Sequence, residues 1–368
     1  MPATRYPELN VSGSPRQLGE QIGEALREQL RGFCDIALER VRKTTRISRE
    51  AAHRVAAAAL PLAEEYSPDS IAELRGTADA SGVSLLDLML LQVRNQLRDE
   101  PDHACTSLSF GPPFTPQRLL AQNWDADPAL DPFTVVLTRR PTGKPAFTTL
   151  TQAGLIAYIG GSTAGIGVCL NALPAPSRFA PDGMFEPPLA GAWGVPHYFT
   201  VREIYEARSL EAAATAVRRA TRAIPASIML TTPEGPANLE VTPAAVCVQT
   251  SSETGIVVHT NHCLEPELTP FNTQFPELIQ SCARLSRVQT MLGQVRGTLT
   301  TPAAIALLQS ILRDHSDYPR SLCRHVNDDP QHGFWQTVFS VIIAPETGEM
   351  LIARGTPCDQ RYETYAMG

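Results

Sequence analysis

The chain has 368 residues, 31 lysines and arginines against 38 acidic residues, a net charge of −7 and 43 % apolar content. That length excludes a mini-protein and suits one large domain or two modest ones. The mild acidity speaks against a nucleic-acid partner, which needs a clustered basic surface, and no apolar run reaches the roughly 18 residues of a membrane span.

The segment Met1 to Ser14 lacks an apolar core flanked by a cleavage site, so no signal peptide is read there. Eight cysteines follow: Cys34, Cys105, Cys169, Cys247, Cys263, Cys282, Cys323 and Cys358. None forms a CxxC pair, and reduced thiols in a cytoplasmic protein are expected. Buried free cysteine behaves as a small hydrophobe, so most of the eight read as core.

The first hundred residues read as helices. Ser14-Pro15-Arg16-Gln17 is a capping box with proline at the first helical position. Leu18, Ile22, Leu26 and Leu30 then recur every four residues. Ser48, Ser67-Pro68 and Ser84 open three more helices, and Gly82 ends the second of these. After Asp102 the texture changes to short apolar runs between glycine and proline turns. Strands are expected at 105–110, 118–124, 133–139, 146–151, 154–160 and 164–171, with Gly160-Gly161-Ser162 as a hairpin turn. Pro174 to Pro196 reads as a surface loop, and helical periodicity returns over 197–221. Strands at 226–232, 237–241, 245–250 and 255–260 precede helices at 274–295 and 301–313 and a hairpin of 336–344 with 349–354. Segregated blocks of helices and strands predict an α+β fold with largely antiparallel sheet.

The chemistry-bearing residues are sparse. There is no G-x-S-x-G elbow, no P-loop and no dinucleotide fingerprint, so no cofactor is expected. His259-Thr260-Asn261-His262-Cys263 offers two imidazoles, but on a strand they point to opposite faces. His315, His325 and His332 follow no recognised ligand spacing, and no metal site is expected. A zinc hydrolase using His259 and His262 stands as one alternative reading.

Three segments carry more together than apart: Cys105-Thr106-Ser107, Gln122-Asn123-Trp124-Asp125 and His259-Thr260-Asn261-His262-Cys263-Leu264. In this order, on strands behind a helical leader, they resemble the acyl-coenzyme A:6-aminopenicillanic acid acyltransferase family. Gln152-Ala153-Gly154, Gly165-Ile166-Gly167-Val168 running into Asn171-Ala172-Leu173, and Tyr318-Pro319 followed by Cys323-Arg324 extend the resemblance over nearly the whole chain.

The resemblance implies a four-layer αββα N-terminal-nucleophile hydrolase fold with an N-terminal helical pro-segment. It implies a precursor that cuts itself between Ala104 and Cys105, with Thr106 adjoining the cut. The helical segment 1–104 and the catalytic core 105–368 stay associated as one structural domain. Cys105 becomes the nucleophile, Asn261 the oxyanion-hole donor and Asp125 the acidic residue beside the nucleophile. The substrates implied are small N-acyl amides, with acyl-CoA or an amine as co-substrate, and neither a membrane nor a nucleic acid is expected as a partner. An arginine that precedes the penultimate strand in the penicillin-making member is absent from Gln331–Gln336, and neither Arg320 nor Arg324 is equated with it. Trp124, Phe334 and Trp335 are expected to line a different, aromatic-accepting pocket. A second alternative is a non-catalytic relative that binds small molecules.

Overall fold

The computed structural model describes residues 5–44, 48–97, 104–173, 194–274, 280–329 and 333–368. It opens with β1 (Glu8–Gly13) and the helices α1 (Pro15–Ala25), α2 (Arg27–Thr44), α3 (Arg49–Tyr66), α4 (Pro68–Ser81) and α5 (Leu85–Val93). Six strands follow: β2 (Ala104–Phe110), β3 (Leu119–Ala126), β4 (Thr134–Pro141), β5 (Phe147–Gln152), β6 (Ile159–Ser162) and β7 (Gly167–Ala172). Helices α6 (His197–Ile204) and α7 (Leu210–Arg218) lead to β8 (Ala226–Thr232), β9 (Gly235–Val241), β10 (Val246–Thr250) and β11 (Ile256–His259). The chain closes with α8 (Ser281–Leu292), α9 (Thr301–Leu312), β12 (Gln336–Ala344), β13 (Glu349–Arg354) and β14 (Glu363–Ala366).

The strands form two sheets, one of eight in the order β1-β4-β5-β6-β7-β8-β9-β10 and one of six in the order β11-β2-β3-β12-β13-β14. Strands β2 and β3 lie against β7 and β8, so the sheets stack face to face. On the outer face of the second sheet, Leu308, Ile311 and Leu312 of α9 pack with Leu108, Phe110 and Ile342. The larger core joins the first sheet to α1 through α7. Helix, sheet, sheet, helix is the four-layer αββα order that the resemblance implies. Among the described residues, no helix is long and apolar enough to cross a membrane.

Local signals explain most element ends. Ser14 accepts from the Gln17 N–H while the Gln17 side chain accepts from the Ser14 N–H, closing the capping box. Ser48, Ser84, Ser209 and Thr300 cap α3, α5, α7 and α9 in the same way through one bond each. Gly82 ends α4 at φ 74°, a left-handed conformation that glycine adopts without Cβ strain.

Three expectations are corrected. β1 lies in a segment that reads as helical leader, because only Leu9 and Val11 mark it and its parallel partner β4 is far along the chain. Gly160-Gly161-Ser162 is part of β6, not a turn. A Cβ on Gly160 would stand 2.0 Å from the Thr148 carbonyl oxygen, so glycine serves the close approach of β5. The turn falls later, where the Gly165 N–H donates to Ser162 O at 3.0 Å. Helix α8 ends at Leu292, short of the expected 295, and residues 275–279 of the expected 274–295 lie outside the described residues. The expected loop 174–196 lies outside the described residues except at its last three positions.

One buried ionic cluster ties the leader to the first sheet. Glu73 of α4 accepts from Arg139 Nε at 2.7 Å and lies 3.7 Å from Arg202 Nη2, with all three side chains almost fully buried. Arg202 also stacks over Phe147 at 4.1 Å. Removing the shared carboxylate leaves two buried guanidinium groups facing each other. Glu73→Gln is therefore expected to cost about 3–5 kcal/mol. Urea unfolding of the purified variant checks this, and a loss below 1 kcal/mol, by the same reasoning about uncompensated buried charge, contradicts it.

Candidate active site

Cys105 is the second residue of β2, between β11 and β3, and is completely buried. Register places Cys105 opposite Trp124, so their side chains share the face turned toward the first sheet. Trp124 stacks on Phe339 at 5.0 Å and meets Tyr158 edge-on at 5.9 Å. The thiol therefore stands beside an aromatic wall. Ala104 is opposite Asp125, which is in turn opposite Thr337, and these three share the other face. Ala104 packs against Trp335.

Asn261 follows β11. Its Oδ1 accepts from the Cys105 N–H at 2.8 Å and from Arg284 Nη2 at 2.8 Å, and its Nδ2 donates to Ala172 O at 3.0 Å. Two donors on one side and one acceptor on the other fix the orientation of the amide. Arg284, from α8, is 2 % exposed and donates through Nη1 to Cys105 O and to Thr106 Oγ1 at 2.7 Å. One guanidinium thus holds the Cys105 carbonyl, its neighbour's hydroxyl and the Asn261 amide. Burial pushes the Arg284 guanidinium down to about 10 and Arg324 adds to this, while Asp125 and Cys105 oppose both.

Asp125 accepts from Thr337 Oγ1 at 2.6 Å and lies 3.7 Å from Arg324 Nε. Arg324 is held in turn by its Nη2 bond to Gln280 Oε1 at 2.7 Å and by its backbone N–H bond to Thr337 Oγ1 at 2.9 Å. Two buried guanidinium groups and one carboxylate give this region a surplus of positive charge.

A second layer secures the segment that carries Asn261. His259 Nε2 lies 2.7 Å from Glu240 Oε1 and its Nδ1 lies 2.9 Å from Thr260 O. Burial raises the Glu240 carboxyl, but His259 and the N–H groups of Leu264 and Glu265 outweigh it and hold the group below its usual range. Asn171 Nδ2 donates to His259 O at 3.2 Å and Thr260 O at 2.7 Å, while Ser107 and Gln122 donate to Asn171 Oδ1. With both ring nitrogens of His259 facing acceptors, this pair offers no shared metal site.

His262 Nδ1 lies 2.7 Å from Ser281 Oγ, the hydroxyl that also accepts from the Asn261 N–H at 2.7 Å. Burial, then His259 and Arg284, push the imidazole down to about 4. The unfolded value is near 6.5, so the unfolded chain binds the extra proton first as pH falls. Stability is full above about 6.5 and is lost progressively toward about 4. Urea midpoints measured across that window are expected to fall more steeply for the wild type than for His262→Gln. Parallel curves would contradict this.

The fold thus brings together Cys105, Ala104, Thr106, Asp125 and Asn261, with Trp124 beside the thiol and Trp335 on Ala104. Phe334 is 45 % exposed and lies outside this group. Arg284 carries no motif that flags it, since an arginine in an amphipathic helix reads as a surface residue. Arg324 is flagged only by the Cys323-Arg324 dipeptide.

The model of the acyl-coenzyme A:6-aminopenicillanic acid acyl-transferase family matches residues 114–358. The acyl-coenzyme A:6-aminopenicillanic-acid-acyltransferase 40 kDa form of Emericella nidulans is 24 % identical over 363 residues, covering 98 % of this chain and 95 % of its own. Among solved structures, an N-acylethanolamine-hydrolyzing acid amidase orthologue of Caenorhabditis elegans is 17 % identical, with a TM-score of 0.44, over 66 % of this chain and 93 % of its own. Penicillin V acylase from Agrobacterium tumefaciens is 13 % identical, with a TM-score of 0.43, over 68 % of this chain and 83 % of its own. The chain belongs to the acyl-coenzyme A:6-aminopenicillanic acid acyl-transferase family.

Proposed function

We propose that this protein is a self-processing cysteine amidohydrolase or acyltransferase that acts on small N-acyl amides through a Cys105 thioester. The observation that carries the reading is the grip on Cys105: Asn261 Oδ1 on its N–H and Arg284 on its carbonyl. A structural cysteine in a strand needs neither.

In the precursor the Cys105 sulfur attacks the Ala104 carbonyl carbon. The C–N bond breaks, the nitrogen takes a proton, and water hydrolyses the resulting thioester. This yields fragments 1–104 and 105–368, which share the larger core and stay together. The freed α-amino group has a pKa near 7.7–8.0, so a useful fraction is neutral near pH 7. Asn261 Oδ1 accepts one of its hydrogens and leaves the lone pair to take the thiol proton. The thiolate then attacks the substrate carbonyl. Asn261 Nδ2 carries two hydrogens, one bonded to Ala172 O and a second to offer the oxyanion. The amine leaves, and water or an acceptor amine takes the acyl group. Asp125, braced by Thr337 and Arg324, balances the ammonium that forms. Trp124, on the thiol's face of the sheet, lines the acyl position, while Trp335 lies on the other face with Ala104 and Phe334 lies outside the group.

The Emericella relative's name specifies acyl-CoA, which makes an acyl thioester a reasonable donor to include in a screen. Incubation with a panel of N-acyl amines and acyl-CoA, followed by acid quench and mass analysis, tests the reading. An acyl adduct on Cys105 with release of amine or CoA is expected. Ligand binding with neither adduct nor product would favour the non-catalytic relative.

A further inference from the structure

Four potential metal ligands converge at a place that the proposed chemistry does not use. His315 follows α9, Cys323 and His325 lie on the next turn of chain, and Cys358 comes from the segment between β13 and β14. Their ligand atoms all lie within 4.8 Å of one another. His325 Nε2 is 3.1 Å from His315 Nε2, 3.5 Å from Cys358 Sγ and 3.7 Å from Cys323 Sγ. A ring nitrogen has one lone pair or one proton, so it cannot satisfy three such neighbours by hydrogen bonding.

A metal ion can. Zn–N bonds of about 2.0–2.1 Å and Zn–S bonds of about 2.3 Å at tetrahedral angles put nitrogen about 3.3 Å from nitrogen and about 3.6 Å from sulfur. The three separations around His325 match those edges. The Cys358 backbone N–H is directed at the Cys323 sulfur. The surrounding chain is already in place: Arg313 Nε donates to Pro357 O at 2.8 Å, and the Cys323 N–H donates to Asp314 O at 3.1 Å.

We propose that His315, Cys323, His325 and Cys358 form a tetrahedral zinc site that clamps the turn after α9 to the C-terminal segment. Four protein ligands leave no open position, which is the structural and not the catalytic type of site. Binding converts two thiols to thiolates and releases two protons to solvent. The clamp also fixes Arg324, which sits between two of the ligands and reaches Asp125. The sequence alone leads to the expectation of no metal site. The four positions are spread over two segments, and no ligand spacing connects them.

The test uses the full chain, produced in zinc-supplemented medium and purified without chelator. One equivalent of zinc per chain is expected by elemental analysis. Cobalt exchanged into the same protein is expected to show thiolate-to-cobalt charge-transfer and tetrahedral ligand-field bands. Cys358→Ser and Cys323→Ser are expected to lose both the metal and the bands, while Cys105→Ala keeps them, which separates this site from the amide chemistry. Less than a tenth of an equivalent after reconstitution with zinc, absent cobalt–thiolate bands, or a Cys323–Cys358 disulfide in the freshly purified protein would each overturn the proposal. The wild-type measurements decide even if the serine variants fail to fold.

Discussion

Cys105→Ala is expected to remain a single uncut chain of 368 residues and to lose all amide turnover. The substitution removes the sulfur that faces Trp124 and leaves the strand otherwise intact. Its backbone N–H still reaches Asn261 and its carbonyl still accepts from Arg284, so the fold should persist. Alanine lacks the atom that attacks either carbonyl, so both processing and turnover stop together. Intact mass and a denaturing gel report the first, and amine release reports the second. A processed variant, or an uncut variant with wild-type turnover, would show that Cys105 does not carry the reaction.

Arg284→Met should produce the second large effect. The guanidinium serves Cys105 O, Thr106 Oγ1 and Asn261 Oδ1 at once, and it is the cation coupled to the Cys105 thiol. Methionine fills a similar volume but leaves three buried acceptors with one donor group fewer. A fall in kcat on the order of 100–1,000-fold is expected, the size that follows loss of an oxyanion-hole donor. The pH dependence separates chemistry from mere packing. Loss of the nearby cation should move the midpoint of Cys105 alkylation upward. Arg284→Lys should restore most of that midpoint but not kcat, because lysine supplies the charge without the fork. An unmoved alkylation midpoint in Arg284→Met would assign the residue a purely structural part.

How much of this could be read from the chain depends on whether the signal was local. The terminal hairpin of 336–344 with 349–354 and the strand 226–232 agree with the structure to the residue, because each is a strongly apolar run bounded by turn residues. The serine caps are equally local. β1 and β14 carry no local signal because six and four residues with few apolar positions gain their stability from partners far away in the chain. The glycines of β6 read as a turn in sequence because only the approach of β5 explains them.

The site divides in the same way. Cys105, Asp125 and Asn261 stand in short motifs at strand ends, where a resemblance can find them. Arg284 has no motif, and its importance arises from three acceptors contributed by two other segments. The His315, Cys323, His325 and Cys358 cluster is similar, since its geometry exists only after α9 and the C-terminal segment have docked. Sheet register supplies what the motifs could not, setting the thiol on the aromatic face with Trp124 and Asp125 on the opposite face with Ala104.

The central claim is that Cys105 becomes a new N-terminus by the protein's own chemistry. The most direct measurement is the intact mass of purified wild-type protein, denatured after incubation at neutral pH without added protease. Two fragments of 104 and 264 residues are predicted, divided between Ala104 and Cys105, in equal amounts. A single 39.9 kDa chain that persists through prolonged incubation would contradict the account.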